Sequence, residues 1–151
     1  MKISTILSRD AVLPHVKAKS KKQLLGELAA LAAAKMKLDE SVVLDALIER
    51  ERLGTTGIGF GVALPHTRLP KLKKIFCGFA KSDPVDFEAV DNKPVDLAFV
   101  LLVPEEAGAD HLKALARLSR LLKDEEVVAA LRKAKTADEL YDLVIQNDSN
   151  E

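Results

Sequence analysis

The chain has 151 residues, with 23 Lys and Arg against 23 Asp and Glu, so its formal net charge is zero. That balance excludes a sequence-independent nucleic-acid binder, which needs surplus cations to displace counterions. A single cysteine excludes an internal disulfide framework, and 48% hydrophobic with 30% charged residues describes ordinary globular material. The length suits one domain around one core, expected over residues 1–147, with a polar tail at 148–151. The N-terminus, Met1-Lys2-Ile3-Ser4-Thr5-Ile6-Leu7, lacks the apolar run of a signal peptide, and no stretch approaches the length of a membrane span. The expectation is a cytoplasmic protein without membrane insertion.

Ser20-Lys21-Lys22-Gln23 is a capping-box pattern and opens a Leu- and Ala-rich helix to about Lys35. Asp39 can cap a second helix, Val42 to Leu53, with Gly54 in the left-handed position that ends it. Ile58 to Leu64 reads as a short Gly-rich strand running into Pro65. Ile75 to Ala80 and Val95 to Val103 read as two more strands. The unbroken apolar character of the last implies cover on both faces. Asp110 can cap a third helix, His111 to Leu122, with Leu112, Leu115, Leu118, Ser119 and Leu122 toward the core. Asp124 to about Lys135 reads as a fourth helix. Thr136-Ala137-Asp138-Glu139 is a second capping box and starts the last helix, through Ile145. Helices before, between and after strands predict an α/β fold with a sheet sandwiched between helices.

Histidine is the side chain that titrates near neutrality, and its neutral ring is a nucleophile. Of His15, His66 and His111, His66 has the most informative setting: Gly57-Ile58-Gly59-Phe60-Gly61-Val62-Ala63-Leu64-Pro65-His66. Pro65 has a fixed φ and biases Leu64 toward extended geometry, giving a stiff strand exit. The residues alone are also compatible with a structural loop histidine. His111, behind Asp110 at a helix start, lies where backbone N–H groups favour anions, or is simply a solvated first-turn residue. Arg50 could fork onto phosphate oxygens, or belong to a solvated Glu49-Arg50-Glu51-Arg52 cluster. The glycines match neither a dinucleotide fingerprint nor a P-loop. The histidines and Cys77 lack zinc-ligand spacing, so no metal or other cofactor is expected. Cys77, inside an apolar strand, reads as a buried small hydrophobe.

From Thr56-Gly57-Ile58-Gly59 through Gly61-Val62-Ala63-Leu64-Pro65-His66, the chain resembles the enzyme IIA domain of the fructose/mannitol class of the bacterial phosphoenolpyruvate-dependent phosphotransferase system. It is most similar to the nitrogen-regulatory members. The likeness extends over Arg50-Glu51-Arg52-Leu53-Gly54-Thr55, Phe87 to Leu97, Val103-Pro104 and the His111-Leu112-x-x-Leu115-Ala116-x-Leu118 helix. The resemblance implies a mixed sheet with helices on both sides. It also implies a phosphotransferase component with no small-molecule turnover of its own. His66 would accept a phosphoryl group on Nε2 from a phosphocarrier protein of the HPr or NPr type, His111 would assist by hydrogen bonding, and Arg50 would contact the phosphoryl group. Thr67 departs from the Gly that many members carry after the histidine. Apolar Ile58, Phe60 and Leu64 are expected at a docking rim near His66, with Phe60 alternatively in the core. Three outputs are open at this point: nitrogen-related regulation of unidentified target proteins, sugar transport through a fructose/mannitol-type IIB, or a binding module that has kept the fold without the chemistry.

Overall fold

A computed structural model describes residues 2–148. After a single 3-10 turn at Ile3–Thr5 come β1 (Leu7–Val16), α1 (Lys21–Met36), α2 (Glu40–Arg52), β2 (Gly57–Gly59), β3 (Val62–Ala63), β4 (His66–Leu69), β5 (Phe76–Val85), β6 (Val95–Pro104), α3 (Asp110–Leu122), α4 (Glu125–Lys133) and α5 (Ala137–Gln146). The strands form one mixed sheet in the order β1-β5-β6-β3-β2, with β4 also pairing with β6. β1 runs parallel to β5, β5 antiparallel to β6, and both β3 and β4 parallel to β6. Helices flank this sheet, as the layer pattern predicts.

The centre of the sheet shows why. Every residue from Leu97 to Val103 is buried. Successive side chains on a strand point to opposite faces, so burial of all of them requires cover on both. Phe79 of β5 and its register partner Phe99 of β6 stack with ring centroids 4.0 Å apart. Cys77 is fully buried on the same strand, and burial pushes its thiol far above the usual range, so it acts as core filling.

The caps read from the sequence hold at three helices, and Asp124, expected as the first residue of the fourth, caps it instead. The Ser20, Asp39, Asp124 and Thr136 side chains each accept a backbone N–H of the first turn. The third helix differs. Asp110 is its first helical residue, and Ala109, which has no side-chain acceptor, occupies the cap position. Leu112, expected toward the core, is 67% exposed. Gly54 also differs: its φ of 154° is far from the left-handed helical value, and α2 closes through Leu53 in right-handed geometry.

Two strand expectations change. β1 has no counterpart among the predicted elements. Its sequence, Leu-Ser-Arg-Asp-Ala-Val-Leu-Pro-His-Val, mixes charges and Pro14 into an edge strand, where a missing N–H is tolerated. His15 lies in this strand, its Nε2 3.0 Å from Asp83. The single strand expected over Ile58–Leu64 is instead a tight hairpin. Phe60 and Gly61 both have positive φ, 59° and 78°, which turns β2 back on β3. Leu64-Pro65 then interrupts the strand, and His66 opens β4. Both pieces keep one register against β6, Val62 opposite Leu97 and His66 opposite Leu101.

Of the polar tail expected at residues 148–151, Asp148 is held in place. The Asp148 carboxylate accepts the Ile3 N–H at 2.8 Å and the Arg117 Nε–H at 2.7 Å, tying the end of the last helix to the first turn. Residues 149–151 lie outside the described residues.

Candidate functional site

The break at Leu64-Pro65 is what presents His66. Proline supplies no N–H, so the ladder to β6 skips there, although the Pro65 carbonyl still accepts Leu101 N–H at 2.9 Å. The chain then re-enters the sheet with the His66 ring half-buried. Its Nδ1 lies 2.8 Å from the Leu64 carbonyl. A carbonyl can only accept, so Nδ1 carries the proton and donates. The neutral ring then holds its lone pair on Nε2, the nucleophilic nitrogen.

Electrostatics keep that ring neutral. Burial, opposed by the Leu64 hydrogen bond and aided by the Arg50 charge, pulls His66 below its ordinary pKa. His111 is lowered too, first by desolvation and then by the like charges of His66, Arg68 and Arg50. The two imidazole centroids are 5.5 Å apart and tilted by 54°. His111 Nε2 is the one buried side-chain N or O atom without a hydrogen-bond partner among the described residues. Such an atom is costly unless something arrives to bond it. Arg50, in the last turn of α2, donates Nη1 to the Gly54 carbonyl at 3.0 Å, and its charge reaches both histidines.

The structure therefore brings His66, His111 and Arg50 to one place from β4, α3 and α2. It also brings two residues that the sequence reading left aside. Glu51 is not part of a solvated cluster: its side chain is 6% exposed. It accepts the Thr56 N–H and hydroxyl, and pairs with Lys21 Nζ at 2.8 Å, while Lys21 lies over the Phe87 ring. This network fastens the loop that follows Arg50. The signal was present in the sequence. Val43, Leu47 and Glu51 are spaced four apart, so Glu51 continues the buried stripe of α2. The solvated pair is Arg52 with Glu49. The second residue is Arg68, next to Thr67 on β4. Its Nη1 donates to the Glu105 carbonyl at 2.8 Å, and its charge acts on His111.

The expected docking rim needs correction. Leu64 is buried at 5% exposure and belongs to the core, and Ile58 is half-buried. Phe60 is neither in the core nor beside His66; it is 64% exposed at the hairpin turn. The large apolar side chains exposed within three residues of Arg50 and His111 are Leu53 and Leu112. Chemically, the site offers an open nucleophilic nitrogen, an unsatisfied imidazole nitrogen and guanidinium charge, which together suit a phosphoryl group.

Residues 5–147 match the family model described as phosphoenolpyruvate-dependent sugar phosphotransferase system, EIIA 2. The chain is 52% identical over 145 residues to a nitrogen regulatory protein of Bradyrhizobium diazoefficiens, covering 95% of each chain. It is 41% identical over 109 residues to a fructose-specific EIIA component of Haloferax volcanii, covering 72% of this chain and 71% of that one. Among solved structures it resembles the nitrogen regulatory protein IIA-Ntr of Neisseria meningitidis. That match has a TM-score of 0.89 at 35% identity and covers 94% of this chain and 98% of the other.

Proposed function

The chain belongs to the EIIA type 2 family of the phosphoenolpyruvate-dependent phosphotransferase system, and on that premise we propose that it is a phosphohistidine carrier. In this reading His66 accepts a phosphoryl group from an HPr- or NPr-type phosphocarrier, and the two charge states of the chain select regulatory partners. The observation that carries the reading is the Nδ1–Leu64 bond, which leaves Nε2 as the open nucleophile.

The transfer follows from the groups present. The Nε2 lone pair attacks phosphorus in line as the N–P bond to the carrier's histidine breaks, and the carrier's ring leaves with that electron pair. His66 keeps its Nδ1 proton, so its ring becomes cationic, and the Leu64 carbonyl dipole stabilises the new charge. Arg50 and His111 face the phosphoryl oxygens. A phosphate dianion beside His111 reverses the like-charge repulsion that lowers its pKa and turns Nε2 into a donor to phosphate. The modification sets a phosphate dianion on a ring that has become cationic, a net gain of about −1 charge near exposed Leu53 and Leu112, and the dianion changes which protein surface binds there.

A regulatory output is favoured over sugar transport by the nitrogen regulatory protein that matches end to end, 95% of each chain. The sugar branch, with a fructose/mannitol-type IIB as acceptor, is the second reading, and it draws on the fructose-specific relative. The test is labelling with phosphoenolpyruvate, enzyme I and an HPr-type carrier. Acid-labile label should appear on the wild type and vanish in His66→Ala, and undiminished labelling of that variant overturns the proposal. Rapid onward transfer to a purified fructose-type IIB would instead select the sugar branch.

A further inference from the structure

The β2–β3 turn carries an unusual residue in an unusual state. Its two central residues have φ of 59° and 78°, the type I′ pattern in which Asn-Gly, Asp-Gly or Gly-Gly is strongly preferred. Gly61 meets the requirement, and a Cβ there would clash with the Arg132 guanidinium. Phe60 does not meet it. For a bulky side chain a positive φ is an outlier, held only when the surroundings over-determine it. They do so here. The Phe60 N–H donates to Asp91 Oδ2 at 3.0 Å, and its carbonyl accepts from Arg132 Nη2. Arg132 is itself locked in a fork on Asp96, with Nε–Oδ2 and Nη2–Oδ1 both 2.9 Å. All this geometry holds a phenylalanine 64% exposed, and Val90, next in sequence to the Asp91 that holds the turn, is 70% exposed. A folded chain gains nothing from a strained, exposed aromatic, whereas a rigid aromatic anchor is what binding hot spots use.

We propose that the Phe60 turn is a docking anchor for a protein partner whose surface offers an apolar pocket rimmed by basic side chains. The charge around it selects that chemistry. Asp91 holds the turn itself, and segment 86–93, which leads into it, carries exposed Asp86 and Glu88 against exposed Lys93; Glu88 also lies 4.0 Å from Lys21 Nζ, a lysine engaged by Glu51, and Arg132 is occupied by Asp96. A second copy of this chain meeting the patch about a two-fold axis would set carboxylates against carboxylates, so the occupant is a different protein. The surface is also separate from the phosphoryl site. Gly61 and His66 are five residues apart on one strand track, about 16 Å at strand rise. A partner held at Phe60 leaves His66 open.

The test has three linked readings on the full chain. Phe60→Gly removes the strain and should raise Tm by about 2–4 °C, the shift expected for a domain of this size; a fall in Tm makes Phe60 a structural residue and overturns the proposal. The same variant should be labelled at His66 by the phosphocarrier at the wild-type rate, and a slower rate makes the patch part of carrier docking and overturns it as a separate surface. Finally, p-benzoylphenylalanine placed at position 60 in the source cells should give one discrete adduct with another protein. That protein, once identified and purified, should bind Phe60→Gly at least ten-fold more weakly than wild type. It should bind Glu88→Lys several-fold more weakly, and bind less well as salt rises. No adduct, an adduct with a second copy of the chain, or binding indifferent to both substitutions overturns it.

Discussion

At one end of the β3–β4 track, Phe60 has both backbone groups held by side chains; at the other, His66 has one ring nitrogen held and the other left open. The hairpin end is satisfied: Asp91, Asp96 and Arg132 each find partners. The histidine end is under-satisfied, with His111 Nε2 buried and unbonded, and burial, aided by nearby positive charge, lowers both imidazoles. The contrast teaches how one strand serves two purposes. Full satisfaction makes the turn rigid. Incomplete satisfaction makes the site ready for a group that brings negative charge and acceptor oxygens.

Breaking the reactive end should have the largest effect. Arg50→Ala should slow phosphoryl transfer to His66 by about 10²-fold, the range seen when one charge-stabilising donor is lost, measured as the rate of acid-labile labelling. A wild-type rate would remove Arg50 from the site. Breaking the rigid end should act on stability alone. Arg132→Ala loses a partly exposed ion pair and the bond to the Phe60 carbonyl. The expected cost is about 1 kcal/mol in denaturant unfolding, with the labelling rate unchanged.

The pH response sharpens the contrast further. Both site histidines have folded pKa values below the ordinary value. As pH falls through about 6.5, the unfolded chain binds protons that the native site resists. The site's relative stability is therefore present above that pH and is lost on acidification through the folded values. Thermal unfolding at pH 7.5 and pH 5.5 should show a larger acid loss for the wild type than for His66→Gln. The smallest effect is local: in the phosphorylated protein the His111 pKa, followed by NMR titration, should rise above its value in the unmodified chain.

The helices were legible because caps and periodicity are local. Ser20, Asp39 and Thr136 sit where their side chains reach the first-turn N–H groups. The sheet was harder. β1 pairs with β5 across some 70 residues, and its charged, Pro-containing sequence carries no alternation to announce it. The hairpin was hidden because Phe-Gly is not a usual turn pair; side chains distant in sequence, Asp91 and Arg132, impose the turn. The three candidate site residues were visible through the resemblance and not through spacing, since α2, β4 and α3 converge only in three dimensions. Leu112 shows the same limit from the other side. Its helical spacing placed it toward the core, but it sits one residue from His111 at the exposed rim.

The central claim is that His66 reacts through Nε2 because Nδ1 is committed to the Leu64 carbonyl. Nitrogen-15 NMR of the phosphorylated chain tests it directly. The account predicts phosphorus coupled to Nε2 of His66, with the Nδ1 proton retained and protected from exchange. Phosphate on Nδ1, or on His111 or His15, would contradict it.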